Sequence, residues 1–330
     1  MEQRNRVCEA VGQLLRRGAV GQQEVLPVGN RVPSTREAVA EDLVVGKPRA
    51  RRISHEGESV MSSKVSRTHT PVDPADANVM DLFRMDGMVA VVTGAGRGIG
   101  RGIALAFADA GATVVLTARR EHELDEVAER VAERGQKSMK VVADITAPDT
   151  IPTIVERAMN ELGSIDTWVS NAGTSDYPGN FAFEEFPEWH WDNQIALNLR
   201  PHFVASRACA TVMKPGSTLI GISSIASIKP AVNFAAYGAA KSGMNSLALT
   251  LATELGPKGI RSNCISPGTV PTEATKTVGH VTDAQLEATA VRIPIRRLGT
   301  PSDCGAAAVW LASPAGSWIT GQNIVVSGGA

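Results

Sequence analysis

Tyr237 and Lys241 stand four residues apart in Ala236-Tyr237-Gly238-Ala239-Ala240-Lys241. On a helix that spacing puts both side chains on one face, about one turn apart. A phenol has a pKa of about 10 and is a poor base at neutrality, whereas a nearby ammonium favours the phenolate and moves that pKa toward the working range. Together the two residues could pass a proton to or from an oxygen atom of a bound molecule. The same spacing also arises as an ordinary solvated pair, so the reading depends on what surrounds it.

A second group could handle phosphate. Thr93-Gly94-Ala95-Gly96-Arg97-Gly98-Ile99-Gly100 lies between a β-branched run and an Ala-rich helical pattern. Glycines there permit a tight turn and close approach of the backbone to a pyrophosphate, whose charge is met by the helix N-terminus. The spacing is G-x-x-x-G-x-G rather than G-x-G-x-x-G. Roughly 20 residues further on, an acid would accept from the adenosine ribose of NAD, but this chain has Ala118 followed by Arg119. A guanidinium pairs bidentately with a 2′-phosphate, and Arg97 supplies a second cation, so the expected cofactor is NADP (NADPH), with NAD less favoured.

The elements that must hold these groups follow from apolar periodicity. Val89–Val92, Thr113–Leu116, Lys140–Ala143, Thr167–Val169, Thr218–Ile222 and Asn323–Val326 read as buried parallel strands. Helical patterns lie between them at 99–110, 121–134, 149–161, 188–214, 236–255 and 302–312. This alternation predicts an α/β fold, a Rossmann-like doubly wound parallel sheet with helices on both faces and ligands at the carboxyl ends of the strands. One catalytic domain is expected over 85–330. Residues 1–80 lack sustained periodicity and are dotted with Arg, Glu, Ser, Pro and Gly, which predicts a mostly disordered extension with room for a short helix over 3–17. The alternative is a gene-model artefact upstream of Met61 or Met80. Glu2, Glu9, Glu24, Glu37 and Glu41 argue against a transit peptide, and no apolar stretch follows that would make a secretory signal.

Composition excludes several functions. Lys and Arg total 33 against 34 Asp and Glu, so no global basic field draws in nucleic acid. The six histidines show no HxxxH or HExxH spacing, and no protein-bound catalytic metal is expected. Cys8, Cys209, Cys264 and Cys304 form no CxxC pair, which fits free thiols in a reducing, cytoplasmic setting. No apolar run approaches the roughly 18 residues of a membrane span.

Taken in order, Thr93 to Gly100, Asp144, Asn171-Ala172-Gly173, Asn198, Ser224, Tyr237 with Lys241, and Pro267-Gly268 followed by Thr272 resemble the short-chain dehydrogenase/reductase family in its short single-domain form, over roughly 85–330. The resemblance implies a nicotinamide-dependent interconversion of a ketone and a secondary alcohol. Ser224, 13 positions before Tyr237, would bond the substrate oxygen. Tyr237 would give the proton in reduction or take it in oxidation. Lys241 would lower the tyrosine pKa and hold the nicotinamide ribose, while Asn198 would kink its helix and anchor a water linking the lysine to solvent. Gly94, Gly96, Arg97, Gly98, Ile99 and Gly100 would cradle the pyrophosphate, and Arg119 the 2′-phosphate. Asp144 and Ile145 would meet the adenine edge. Asn171, Ala172 and Gly173 would pass beside the adenosine ribose, with Asn171 also tying strands together. Ile265, Pro267, Gly268 and Thr272 would flank the nicotinamide and favour hydride from its pro-S face. The chain departs from the family at Val326-Ser327-Gly328-Gly329, where serine replaces a frequent aspartate.

The resemblance also implies a homotetramer or homodimer built on the helices near 188–214 and 236–255, with Ala205, Ala208, Ala248 and Ala252 allowing close packing. Residues 177–191 hold six of the chain's 14 aromatics, a density that would either line a pocket for a steroid, acyl chain or other apolar ketone or seat the following helix in the core or a subunit interface. Residues 273–297 read as a mobile lid. A 3-oxoacyl-thioester reductase and a hydroxysteroid dehydrogenase are the expected specialisations. The alternative from another class is a catalytically silent dinucleotide-sensing binding protein of the same fold, which would call for a broken catalytic set.

Overall fold

Every residue of β1 (Val89–Thr93) is buried, and its side chains divide by the two-residue period of a strand. Ala90 and Val92 enter one core with Ile103, Phe107, Leu116, Leu124 and Leu311, whereas Val89 and Val91 enter another with Val115, Ile154, Trp168 and Leu219. A strand apolar on both sides demands cover on both sides. Helices α1 (Gly98–Asp109), α2 (Glu121–Ala132) and α8 (Pro301–Ala312) cover the first face; α3 (Thr150–Leu162) and α5 (Arg200–Cys209) cover the second. These elements come from a computed structural model that describes residues 78–174, 183–273 and 281–330. The expected extension up to residue 77, with its short helix, lies outside the described residues.

The other strands are β2 (Thr113–Ala118), β3 (Ser138–Val142), β4 (Thr167–Ser170), β5 (Thr218–Ile222), β6 (Arg261–Pro267) and β7 (Asn323–Val326). All pair in parallel, in the order β3-β2-β1-β4-β5-β6-β7. The chain winds outward from β1 to β3, returns to β4 and winds the other way, so the expected doubly wound sheet is present. The reversal between β1 and β4 opens a crevice at their carboxyl ends.

Sequence and structure differ at several elements. β6 escapes the apolar pattern because Ser262, Asn263 and Ser266 interrupt it, yet all seven of its residues are buried. Two of its polar side chains are satisfied from the neighbouring segment: Asn263 Nδ2 donates to Ile319 O at 2.9 Å, and Ser266 Oγ donates to Asn323 Oδ1 at 2.7 Å. β7 is an edge strand and only half-buried rather than a buried one. The single helix expected over 188–214 is two, α4 (Glu188–Asn198) and α5, broken at Leu199 and ended at Cys209. Pro201 explains the break, since it has no N–H to donate and its ring clashes with the preceding turn. Asp283–Arg292, in the stretch read as a lid, forms helix α7, opened by a reciprocal Thr282–Gln285 cap. Residues 274–280 of that stretch lie outside the described residues.

Candidate active site

The crevice is knitted at its floor by Thr93, the last residue of β1. Its Oγ1 donates to Val169 O at 3.2 Å and accepts from the amides of Asn171 and Ala172 at 2.9 and 3.0 Å. Asn171 Nδ2 in turn donates to Thr93 O at 2.7 Å, a bond from the segment after β4 to the end of β1. Above it, the glycine loop is packed too tightly for side chains. A Cβ on Gly100 would lie 2.1 Å from Gly94 O, and one on Gly94 would lie 2.9 Å from Asn171 Nδ2. Gly94 and Gly98 also have positive φ, +66° and +56°. The loop feeds α1, whose N-cap Arg97 makes no side-chain capping bond. The first-turn amides of that helix therefore remain available to an anion. Thr272 closes the loop from above, with its Cγ2 3.0 Å from where a Gly98 Cβ would be. Gly268, after β6, is held by donating its N–H to Val326 O at 2.9 Å.

The proton-handling group assembles on α6 (Ala235–Leu255) and the turn after β5. Lys241 is 3% exposed, its Nζ donates to Ile222 O at 2.8 Å, and it lies 5.6 Å from the centre of the Tyr237 ring. Burial brings the lysine down from an ordinary 10.5 to about 8, with the nearby Cys264 acting in the opposite sense. Burial holds the Tyr237 phenol above its ordinary value, and the nearby Ser224 hydroxyl, which pulls the other way, does not outweigh it. This corrects the expectation of a lowered tyrosine: the loss of solvent decides the direction, and the result is a phenol kept protonated. Ser224 Oγ also accepts from Ala226 N at 3.1 Å, which fixes it at the start of the turn Ile225–Ser227. Ser223, its neighbour, points elsewhere, donating from Oγ to Lys241 O at 3.2 Å.

Asn198 ends α4 at the break, 1% exposed. Its Nδ2 donates to Thr174 O at 3.1 Å and to Gln194 Oε1 at 2.8 Å, which turns Oδ1 the other way. That Oδ1 is buried with no hydrogen-bond partner among the described residues. It lies 2.5 Å, and Lys241 Nζ 3.4 Å, from the point where a Gly173 Cβ would stand, so both face the space above that glycine. Asn198, Gly173, Ser224, Tyr237 and Lys241 are therefore brought to one place.

Other predicted residues are placed differently. Asp144 Oδ1 accepts from Thr146 N and Oγ1 at 2.9 and 2.7 Å. These bonds, with a smaller contribution from the Arg119 charge, lower its pKa. Ile145 lines a 130 Å³ cleft with Pro148, Arg200 and Arg207. Phe183, Trp189 and Trp191 are exposed rather than seated in the core; Tyr177 and Phe181 lie outside the described residues. The cause is the buried stripe of α4, which is polar: His190, Gln194 and Asn198 turn inward and the tryptophans turn out. Ala205, Ala248 and Ala252 are buried in the chain's own packing, and Ala208 is half-buried against the core that holds Ala205. Cys209, Cys264 and Cys304 are buried free thiols.

Sequence reasoning missed the residues that hold the others in place. Ser227 Oγ donates to Ser224 O at 2.6 Å, Asn245 Nδ2 donates to Ser227 Oγ at 2.8 Å, and Ser242 Oγ donates to Ser227 O at 2.8 Å. These bonds clamp the Ser224 turn onto the helix that carries Tyr237. Beneath β4, His202 Nδ1 meets Ser170 Oγ at 3.0 Å, while Trp168 Nε1 donates to the same oxygen at 3.2 Å. Burial, reinforced by the Lys241 charge, keeps His202 neutral with a pKa of about 4. The i,i+4 spacing of Gln194 and Asn198 was the one readable signal among these.

A dinucleotide-type crevice with a buried lysine, a tyrosine and a serine at its mouth defines an oxidoreductase-like α/β protein. A family model described as enoyl-(acyl carrier protein) reductase matches residues 94–330. The chain is 35% identical over 251 residues to 7alpha-hydroxysteroid dehydrogenase of Escherichia coli, covering 76% of this chain and 96% of that one. Versicolorin reductase 1 of Dothistroma septosporum is 31% identical over 262 residues, covering 76% and 98%. A solved structure of 7alpha-hydroxysteroid dehydrogenase, complexed with NADH and 7-oxo glycochenodeoxycholic acid, superposes with a TM-score of 0.71 at 35% identity over 76% of this chain and 97% of that one. The chain belongs to the short-chain dehydrogenase/reductase family. No helix among the described residues is long and apolar enough to cross a membrane.

Proposed function

We propose that this chain interconverts an apolar ketone and its secondary alcohol with NADP(H), through Ser224, Tyr237, Lys241 and Asn198. The observation that carries the reading is the buried Lys241 Nζ 5.6 Å from the Tyr237 ring, with Ser224 near enough to draw the phenol pKa downward. The residues present fit a nicotinamide dinucleotide: a loop that side chains would obstruct, a helix N-terminus without a side-chain cap, and a buried Asn198 Oδ1 facing the same space as Lys241 Nζ. When bound, the nicotinamide supplies the hydride. Ser224 Oγ bonds the carbonyl oxygen, and the Tyr237 hydroxyl gives its proton to that oxygen as it becomes an alkoxide. Lys241 stabilises the phenolate left behind, and Asn198 holds the water from which the proton is replaced. In oxidation the same atoms run in reverse.

Arg97 and Arg119 support the phosphorylated cofactor. The relatives' names support a polycyclic ketone such as a steroid, and 3-oxoacyl thioesters form the second class to test. A homotetramer or homodimer in the cytoplasm completes the reading; the intact catalytic set speaks against a silent binding protein. The test is absorbance at the reduced-nicotinamide band with NADPH or NADH and a panel of steroid ketones, 3-oxoacyl and enoyl thioesters and sugars. Oxidation of NADPH with a cyclic ketone is expected. Turnover of none of the ketones would overturn the reading.

A further inference from the structure

Glu123, in the first turn of α2, is not accounted for by the roles above. Its carboxylate grips the neighbouring Arg120, Nη1 to Oε1 at 2.5 Å. Exposed pairs three residues apart are common and contribute little. This one is lopsided: the arginine side chain is 51% exposed, the glutamate only 18%. The acid lies inward because it folds over the glycine loop. Its Oε2 and Cβ are 2.9 and 2.8 Å from the position a Gly96 Cβ would take, and the Ala118 Cβ is 3.5 Å from the same point. Only a glycine at 96 leaves room for it. A carboxylate thus stands between the pyrophosphate loop and the end of β2, where the adenosine ribose is expected.

Simple electrostatics makes that placement consequential. The corner holds three cations, Arg97, Arg119 and Arg120, and two carboxylates, Glu123 and Asp144, a net charge of +1. An acid beside a phosphate site opposes phosphate, while a carboxylate oxygen accepts readily from a ribose hydroxyl. We propose that Glu123 sets how strongly this site prefers a 2′-phosphorylated adenosine, by neutralising Arg120 and by accepting from the ribose 2′-hydroxyl when no phosphate is present. The chain would then accept both nicotinamide dinucleotides, with the preference limited by this one carboxylate. The inference rests on the reading that the adenosine half of a dinucleotide sits at this corner.

Calorimetric titration of the full chain with 2′,5′-ADP and with 5′-AMP, at two salt concentrations, tests it without turnover. Glu123→Gln keeps the shape and removes the charge; it is expected to tighten 2′,5′-ADP by about three- to tenfold and to weaken 5′-AMP. Arg120→Gln should loosen 2′,5′-ADP, and the double variant should return close to wild type, because the net charge is restored. A Glu123 that only shaped the loop would loosen both ligands together when replaced. An unchanged or falling ratio of the two affinities in Glu123→Gln, with both ligands still binding, would overturn the inference and leave the cofactor reading intact. Binding of neither ligand to the wild type would overturn both.

Discussion

The two halves of the crevice are built on opposite principles. On the β1 side the working surface is backbone, and its chemistry depends on atoms that are missing: Gly94 and Gly100 have no room for a Cβ. On the β5 side the working surface is side chain, and its chemistry depends on groups held out of water: Lys241 and Asn198 are 3% and 1% exposed. The first half binds by fitting a shape to an anion. The second works by keeping an ammonium and a phenol where solvation would otherwise dull them. A change in the first half should therefore spoil binding and folding together, whereas a change in the second should spoil turnover and leave the rest standing.

Tyr237→Phe gives the widest separation. It removes only the transferable proton, and kcat is expected to fall by about a thousandfold. Affinity for the dinucleotide, followed by fluorescence titration, should stay within about twofold. An active variant would refute the assignment of the proton donor. Gly100→Ala is the counterpart on the other side. Its Cβ would meet the Gly94 carbonyl oxygen at 2.1 Å, so the backbone must move. A loss of about 1 to 3 kcal/mol of stability, read by denaturant titration, should accompany weakened dinucleotide binding. Normal binding with only slowed turnover would erase the contrast between the halves.

Lys241 connects function to stability. Its folded pKa of about 8 lies below its ordinary 10.5. Below pH 8 the lysine is protonated folded and unfolded, and the penalty for burying the ammonium is present in full. As the pH rises from 8 toward 10.5, the folded state gives up the proton first and the penalty fades. Lys241→Met should thus be inactive but no less stable, with Tm raised by a few degrees at pH 7 and the gain shrinking toward pH 10. In the wild type, ketone reduction should hold up to pH of about 8 and decline above it as the ammonium is lost. A Tm that drops sharply in Lys241→Met would mean the lysine is a structural support.

How much of this was readable in sequence follows the same division. Gly94, Gly96, Gly98 and Gly100 announce themselves because only glycine serves there, and Tyr237 and Lys241 because a helix fixes their spacing. The strands showed wherever apolar residues carried the pattern. β6 did not, because the Ser262 amide and the buried Asn263 and Ser266 side chains find partners more than fifty residues away, at Thr320, Ile319 and Asn323, which no local window contains. The break at Leu199 was foreshadowed by Pro201, but the inward polar stripe of α4 reversed the expected direction of its tryptophans. Tyr237 was misjudged for a related reason: spacing reports the neighbouring lysine but not the burial that outweighs it.

The smallest expected effect falls on the residues that no pattern revealed. Asn245 touches no substrate in the proposed chemistry; it donates to Ser227 Oγ, which donates to the Ser224 carbonyl. Truncating it to alanine removes one neutral hydrogen bond, about 0.5 to 1.5 kcal/mol, and releases the turn that aims Ser224 at Tyr237. With that turn loosened, kcat should fall about three- to tenfold while KM for the dinucleotide stays unchanged, since the glycine loop is untouched. Ser227→Ala should behave alike, and the two changes together should cost little more than either alone, because both cut the same chain of bonds. Measuring kcat across this double-mutant cycle, with dinucleotide affinity as the control, distinguishes the arrangements: additive losses would mean that Asn245 and Ser227 support the turn separately, and a loss confined to KM would place Asn245 in the binding half.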